Sequence, residues 1–238
     1  MPYTLSNRRV LVTGGSRGLG ARICQQFARE GAHVMVNYVS NENRARQVVD
    51  KVQSFGVKAF MVQGDAGNAD HNARIVKETV EKLGGLDIIV ANAGWTRLSD
   101  FGDLNALSLE EWNKVFYSIV ESCGLSRSIF TDRGSTQSGS SMAYAVSKAA
   151  GLHLMKCIAA TQGPKLRMNA ILPGQLLTEW VRMPLKGFPG ASLVSNLFLQ
   201  GLQFTEEQIA QEQNDSVLKH EVCLSSISIC SDTRSYTL

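Results

Sequence analysis

Four short apolar runs, separated by segments with helical spacing, constrain the fold more than any other feature of this chain. The runs are "RVLVT" at 9–13, "AHVMVNY" at 32–38, "VKAFMVQ" at 57–63 and "LDIIVANAG" at 86–94. After the first, Ile23, Phe27 and Ala28 share one face of a helix predicted over 19–30. Ala45, Val48, Val49 and Val52 stripe a second helix over 42–54; Ile75, Val76, Val80 and Leu83 stripe a third over about 70–83. This is the spacing that one face of an α-helix requires. Strands alternating with helices at this pitch build βαβ units, hence a parallel sheet with helices on both faces. The runs are apolar almost throughout, as strands covered on both faces must be. The expected fold is α/β: a single doubly wound, Rossmann-type parallel sheet.

The second half is less regular. A helix is predicted over 108–124, starting at Ser108 with Glu110 and Glu111 in its first turn. "SIF" at 128–130 is a very short strand, 131–141 a loop, and 143–161 a further helix. "RMNAILPG" at 167–174 reads as a strand stopped by proline. Residues 183–204 suit either a flap over a pocket or a loop with a core helix. The serine-rich segment 214–238 reads as a poorly ordered tail. One domain over 1–213 is expected.

With 44% apolar residues the chain can bury a sizeable core. Its 24 basic and 21 acidic residues leave a net charge of +3 and no basic block, so nucleic acid is not an expected partner. No run of 18 apolar residues predicts a membrane span, and the first residues lack the apolar core of a signal peptide. Five cysteines stand without a CxxC pair. That pattern points to reduced thiols in a cytoplasmic compartment and to no metal site.

Two local motifs carry chemistry. "TGGSRGLG" at 13–20 lies between the first strand and the first helix. Gly14, Gly18 and Gly20 allow a sharp turn and a close backbone approach. The helix that follows offers unpaired N–H groups and a positive dipole end to a diphosphate. In this strand–turn–helix setting the loop reads as a dinucleotide site. No GKS or GKT is present, so a triphosphatase loop is disfavoured. In "AYAVSKA" at 143–149, Tyr144 and Lys148 are four apart, hence neighbours on a helix. A free tyrosine is a poor acid or base near neutrality, but a nearby cation favours the phenolate. The pair is a candidate proton donor and acceptor.

"TGGSRGLG", "NAG" at 92–94, "YAVSK" at 144–148 and "PG" at 173–174 occur in the order and rough spacing of the short-chain dehydrogenase/reductase family. The chain resembles that family over residues 6 to about 182, most of all its fungal members. The resemblance implies that Gly14, Ser16, Arg17, Gly18, Leu19 and Gly20 surround a pyrophosphate and adenosine ribose, and that Asp65 meets the adenine. Asn92, Ala93 and Gly94 would line the cofactor, with Pro173, Gly174 and Thr178 near the nicotinamide. Tyr144 would give its proton to a carbonyl oxygen, and Lys148 would tune it and bind the ribose. Members that read NAD carry an acid at the end of the second strand. Here Asn37 stands at that position, no acid follows until Glu42, and Arg17 is placed to meet a 2′-phosphate. NADP is therefore expected over NAD, with Asn37 among the cofactor contacts.

The pattern also breaks. The family's substrate-holding serine falls at Thr131, with Ser135 as an alternative, and its relay asparagine falls at Ile119. The interval from Trp112 to Tyr144 predicts a shortened or missing fifth strand. "CLSSISICSDTRSYTL" replaces the usual end, which puts the last strand and the dimer contacts in question. The expected activity is NADP-dependent reduction of a small or medium carbonyl, or its reverse on a secondary alcohol. Residues 95–101 and 179–204 would form an apolar substrate end, including Trp95, Phe101, Trp180, Phe188, Leu193, Leu197 and Phe198. The alternative is a catalytically impaired cofactor-binding or scaffold protein. A methyltransferase on a related sheet explains neither "YAVSK" nor "NAG".

Overall fold

The structure is a computed structural model describing residues 4–124, 127–128, 140–163 and 165–170, without the side chains of 119–124 and 127–128. The elements run β1 (Arg9–Val12), α1 (Gly18–Arg29), β2 (His33–Tyr38), α2 (Glu42–Gln53), β3 (Ala59–Gln63), α3 (Ala69–Leu83), β4 (Ile88–Ala91), α4 (Leu109–Gly124), β5 (Arg127–Ser128) and α5 (Met142–Gln162). The sheet has the order β3-β2-β1-β4-β5, and every pairing is parallel. From β1 the chain winds outward through β2 and β3, then crosses back to place β4 on β1's other side. The winding reverses between β1 and β4, where open α/β sheets form a crevice at the strands' carboxyl ends.

Alternation along the strands divides the core. Val10, Val12, Val34, Val36, Ile88 and Val90 face one side, against Ile23, Cys24, Phe27 and Ala28 of α1 and Ala45, Val48, Val49 and Val52 of α2. Leu11, Met35 and Val62 face the other, against Ile75 and Leu83 of α3. The expected helical stripes of α1 and α2 are thus the buried ones. On α3, Val80 is exposed, and Thr79 takes its place in the core. Thr79 satisfies its hydroxyl by donating to the carbonyl of Ile75, 2.7 Å away.

Helix starts follow from capping. Asn41 and Asn68 accept the amides of Arg44 and His71 at the heads of α2 and α3. Ser108 and Glu111 exchange hydrogen bonds at the head of α4, a capping box. The fifth strand forms at Arg127–Ser128, slightly before the expected "SIF", and pairs with β4. Residues 167–170, the start of the expected strand "RMNAILPG", are not in a strand. The expected flap, tail and last strand lie outside the described residues. No described helix is long and apolar enough to cross a membrane.

The seam between β1 and β4 is clamped at its amino-terminal end. Arg9 donates from Nε and a terminal nitrogen to the two oxygens of Asp87, at 2.7 and 2.9 Å, and its backbone amide adds a third bond. These bonds, chiefly from the Arg9 side chain, lower the Asp87 carboxyl to about 2. A depressed carboxyl stabilises the fold fully above its unfolded value near 4, and loses that contribution as pH falls toward 2.

Among the described strands β3 is an edge, with Phe60 partly exposed on it. Its outward carbonyls are covered by side chains. Gln53 donates to Ala59, Lys82 to Met61 and Arg74 to Gln63, at 2.9, 3.5 and 2.9 Å. Glu78 joins Arg74 and Lys82 into one charged row along α3. Arg74 and Lys82 stand eight residues apart on α3, about 12 Å, and their long side chains converge on carbonyls two residues apart on β3, about 6.6 Å. Charged cover of this kind blocks edge-to-edge pairing.

Asp87→Asn is expected to lower stability at pH 7 by roughly 1–3 kcal/mol, the range for charged hydrogen bonds. In urea denaturation the deficit should vanish as pH approaches about 2, where wild-type Asp87 is itself half protonated. The double variant Arg74→Ala/Lys82→Ala should self-associate in sedimentation velocity at concentrations where wild type stays unchanged; identical profiles would contradict the edge-guard reading.

Candidate active site

The glycine loop is held over the strand tips by a small polar lattice. Thr13, buried just after β1, donates its hydroxyl to the carbonyl of Val90 at 3.3 Å. The same oxygen accepts the amides of Asn92 and Ala93, both at 3.0 Å. Asn92 in turn donates its side-chain amide to the carbonyls of Thr13 and Gly14, at 2.9 and 3.2 Å. The expected motif residues Gly14, Asn92 and Ala93 are therefore joined at the crevice. Thr13 was not among them, although it is the first letter of the glycine motif and its hydroxyl is the hub.

Gly14 and Gly18 have φ of +60° and +53°, a region that favours glycine. Gly20 has no room for a side chain: a Cβ there would collide with the Gly14 carbonyl and lie 2.6 Å from the Asn92 side-chain nitrogen. Arg17 and Gly18 are exposed at the loop's rim, and Ser16 and Leu19 are half-buried. Arg17 is the N-cap of α1, no side chain caps that end, and its first turn holds no acid. The heads of α2, α3 and α5 each carry an Asn or Ser cap. This donor-rich, acid-free opening fits an anionic group such as a diphosphate.

Asp65 stands exposed at the exit of β3, where its carboxylate accepts the amide of Gly67 at 2.9 Å. Asn37 departs from its expected role. It is 1% exposed and turned into the protein, bonded to Gly14, Val62 and Gly64. It presents nothing at the surface to a ribose. The reason is local: every residue of β2 from Val34 to Tyr38 is buried, so a polar side chain at its end has neighbours on both faces.

Tyr144 and Lys148 lie on α5, whose start is fixed by Ser141 accepting the Tyr144 amide at 3.2 Å. Lys148 is buried, and its ammonium lies 5.2 Å from the centre of the Tyr144 ring. A cation over an aromatic face at that distance is attracted to the ring and held with it. Tyr144, Trp95 and Trp112 all pack against one buried cluster of Leu107, Val115 and Ala143. Trp95 directly follows Gly94, so the tyrosine stands beside the segment leaving β4. That segment is tied to α4 at three points: Trp95 donates its amide to Ser118 at 3.1 Å, Lys114 covers the Trp95 ring at 4.4 Å, and Arg97 pairs with Glu111. Thr96 and Ser140 share a hydrogen bond of 2.6 Å, and Ser99 bonds the Ser140 carbonyl. Sequence reasoning missed Ser118 and Ser140, which join α4 and the head of α5 to the crevice. Only their tertiary partners reveal them.

Phe101 is half-buried on the same segment. Thr131, Ser135, Pro173, Gly174, Thr178 and the residues from Trp180 to Phe198 lie outside the described residues, as does the side chain of Ile119. Among the described residues no group of three or more His, Cys, Asp or Glu could hold a metal. Gly20→Ala should displace the loop against Asn92 and abolish nucleotide binding while the fold persists; circular dichroism and dye-column retention would check this, and normal retention would contradict it.

Comparisons with known proteins converge on one family. The family described as Enoyl-(Acyl carrier protein) reductase matches residues 14–211. The chain is 33% identical over 212 residues to hydroxynaphthalene reductase arp2 of Aspergillus fumigatus, covering 81% of this chain and 76% of that protein. It is 40% identical over 115 residues to the short chain dehydrogenase/reductase AacuN of Aspergillus aculeatus, covering 48% of this chain but only 42% of that protein. Among solved structures it is similar to a short chain dehydrogenase from Burkholderia cenocepacia in complex with NADP. The TM-score is 0.70 at 28% identity, covering 80% of this chain and 82% of that one. With its parallel sheet, glycine loop and Tyr144–Lys148 pair, the chain belongs to the short-chain dehydrogenase/reductase family of oxidoreductases.

Proposed function

We propose that this chain moves hydride between NADP(H) and a small or medium carbonyl or secondary alcohol, with Tyr144 as acid and base. The observation that carries the reading is the buried Lys148 ammonium 5.2 Å from the Tyr144 ring, which packs on the same buried cluster as Trp95, next in the chain after Gly94. Gly14, Ser16, Arg17, Gly18, Leu19 and Gly20 would hold the diphosphate and adenosine ribose, Asp65 the adenine, and Asn92, Ala93 and Gly94 the inner wall. Pro173, Gly174 and Thr178 would flank the nicotinamide, and Thr131 would hold the substrate oxygen. When bound, NADP(H) supplies or accepts the hydride. In reduction the Tyr144 hydroxyl gives its proton to the carbonyl oxygen; in oxidation it takes that proton back. Lys148 keeps the ring in place and holds positive charge over it as the proton leaves.

The choice of NADP rests on the exposed Arg17, on the lack of an acid at the end of β2, and on the NADP complex of the Burkholderia cenocepacia relative. The likeness to a hydroxynaphthalene reductase, with Trp95 and Phe101 beside the crevice, supports a ring-bearing substrate. Cys24 and Cys157 are free thiols, which suits a reducing, cytoplasmic setting. A homo-oligomer, weakened by the atypical C-terminal sequence, is part of the same reading. Ile119, standing where the family carries a relay asparagine, favours a second reading: a cofactor-binding protein with little or no turnover.

Tyr144→Phe should lower kcat by a factor on the order of 100 or more, the scale of general acid–base catalysis, and leave NADPH affinity unchanged. Steady-state rates with a panel of aromatic ketones, run with NADPH and with NADH, check this together with cofactor choice. Full activity in the variant, or a clear preference for NADH, would contradict the proposal. Calorimetric binding of NADPH with no turnover of any carbonyl would favour the second reading.

A further inference from the structure

The geometry points to Asn37 as a positioning residue that sets the spacing between the diphosphate loop and the adenine side of the crevice. Its backbone and side chain grip the loop together. The carbonyl accepts the amide of Gly15 at 2.8 Å, and the side-chain oxygen accepts the amide of Gly14 at 3.2 Å. Its amide nitrogen turns the other way and donates to the carbonyls of Val62 and Gly64, at 3.3 and 2.9 Å. Gly64 immediately precedes Asp65. One side chain thus spans from the tip of β1, across β2, to the exit of β3, with both amide hydrogens and its oxygen engaged.

No other residue type fits these partners. Aspartate lacks the two donors, serine lacks the reach, and leucine would leave the Gly14 amide and the Val62 and Gly64 carbonyls without this partner. At 1% exposure the bonds are shielded from competing water. Gly14 is also the residue whose carbonyl accepts from Asn92. Asn37 and Asn92 therefore hold the loop from opposite sides, one from β2 and one from β4.

This inference rests on the cofactor reading above and separates from the role first expected of Asn37. A residue that touched the ribose would change the preference between NADPH and NADH. A residue that only positions the loop should weaken both alike. Asn37→Ala is expected to weaken NADPH and NADH each by about tenfold, roughly the loss of one or two buried hydrogen bonds. Their ratio and kcat at saturating cofactor should stay near wild type. Asn37→Ser should behave as Asn37→Ala does. Native-state hydrogen exchange of the ligand-free wild-type chain gives a second, cofactor-independent readout. The Gly14 amide should be protected in wild type and exchange faster in Asn37→Ser, while Leu11 and Val36 stay protected. A changed NADPH-to-NADH ratio, unchanged affinities, or rapid Gly14 exchange in wild type would each overturn the inference. If wild type bound neither nucleotide, the functional reading would fail, and the exchange of Gly14 would still decide the role of Asn37.

Discussion

The seam between β1 and β4 is the constraint on which the rest of the molecule depends. The winding of the chain reverses there, so no βαβ crossover joins neighbouring strand tips across it. Beyond the backbone ladder, side chains tie the two strands at both ends. Arg9 and Asp87 bind the two strands where they begin, and Thr13 and Asn92 bind them where they end. The Thr13 hydroxyl gives one hydrogen bond and accepts two, its full capacity. Replacing it with valine would keep the shape and strand two amides.

Function grows out of that seam through a continuous set of contacts. The loop over β1 sits close against Asn92 because Gly20 leaves no side chain between them. The chain leaving β4 is tied to α4 through Ser118, Lys114 and Glu111, and to the head of α5 through Ser140. Tyr144 and Trp95 pack on the same buried cluster within that corner. A buried lysine is costly unless its charge finds compensation, and the face of the Tyr144 ring supplies part of it. Packing thus keeps Tyr144 and Lys148 together.

Much of this was legible in the sequence, for reasons tied to particular residues. Val10 to Val12, Val34 to Val36 and Ile88 to Val90 read as strands because burial on both faces leaves no polar position. The heads of α4 and α5 were readable because Ser108 and the serines before Met142 are good caps. Asn37 was misread because spacing says where a residue lies along a strand but not what meets it from the side. Val80 and Thr79 exchanged roles because Thr79, four residues from both Ile75 and Leu83, lies at the middle of the buried face of α3, Val80 lies at its margin, and a hydroxyl can satisfy itself on its own helix. Thr13, Ser118 and Ser140 act through partners many positions away, which periodicity does not encode.

If the strand tips, the glycine loop and α5 form one pyridine-nucleotide site, titrating purified protein into NADPH should change the nicotinamide fluorescence. Emission should rise, saturate with protein and be reversed by excess oxidised cofactor. Emission that stays flat at every protein concentration, from a chain whose circular dichroism shows it folded, would contradict it.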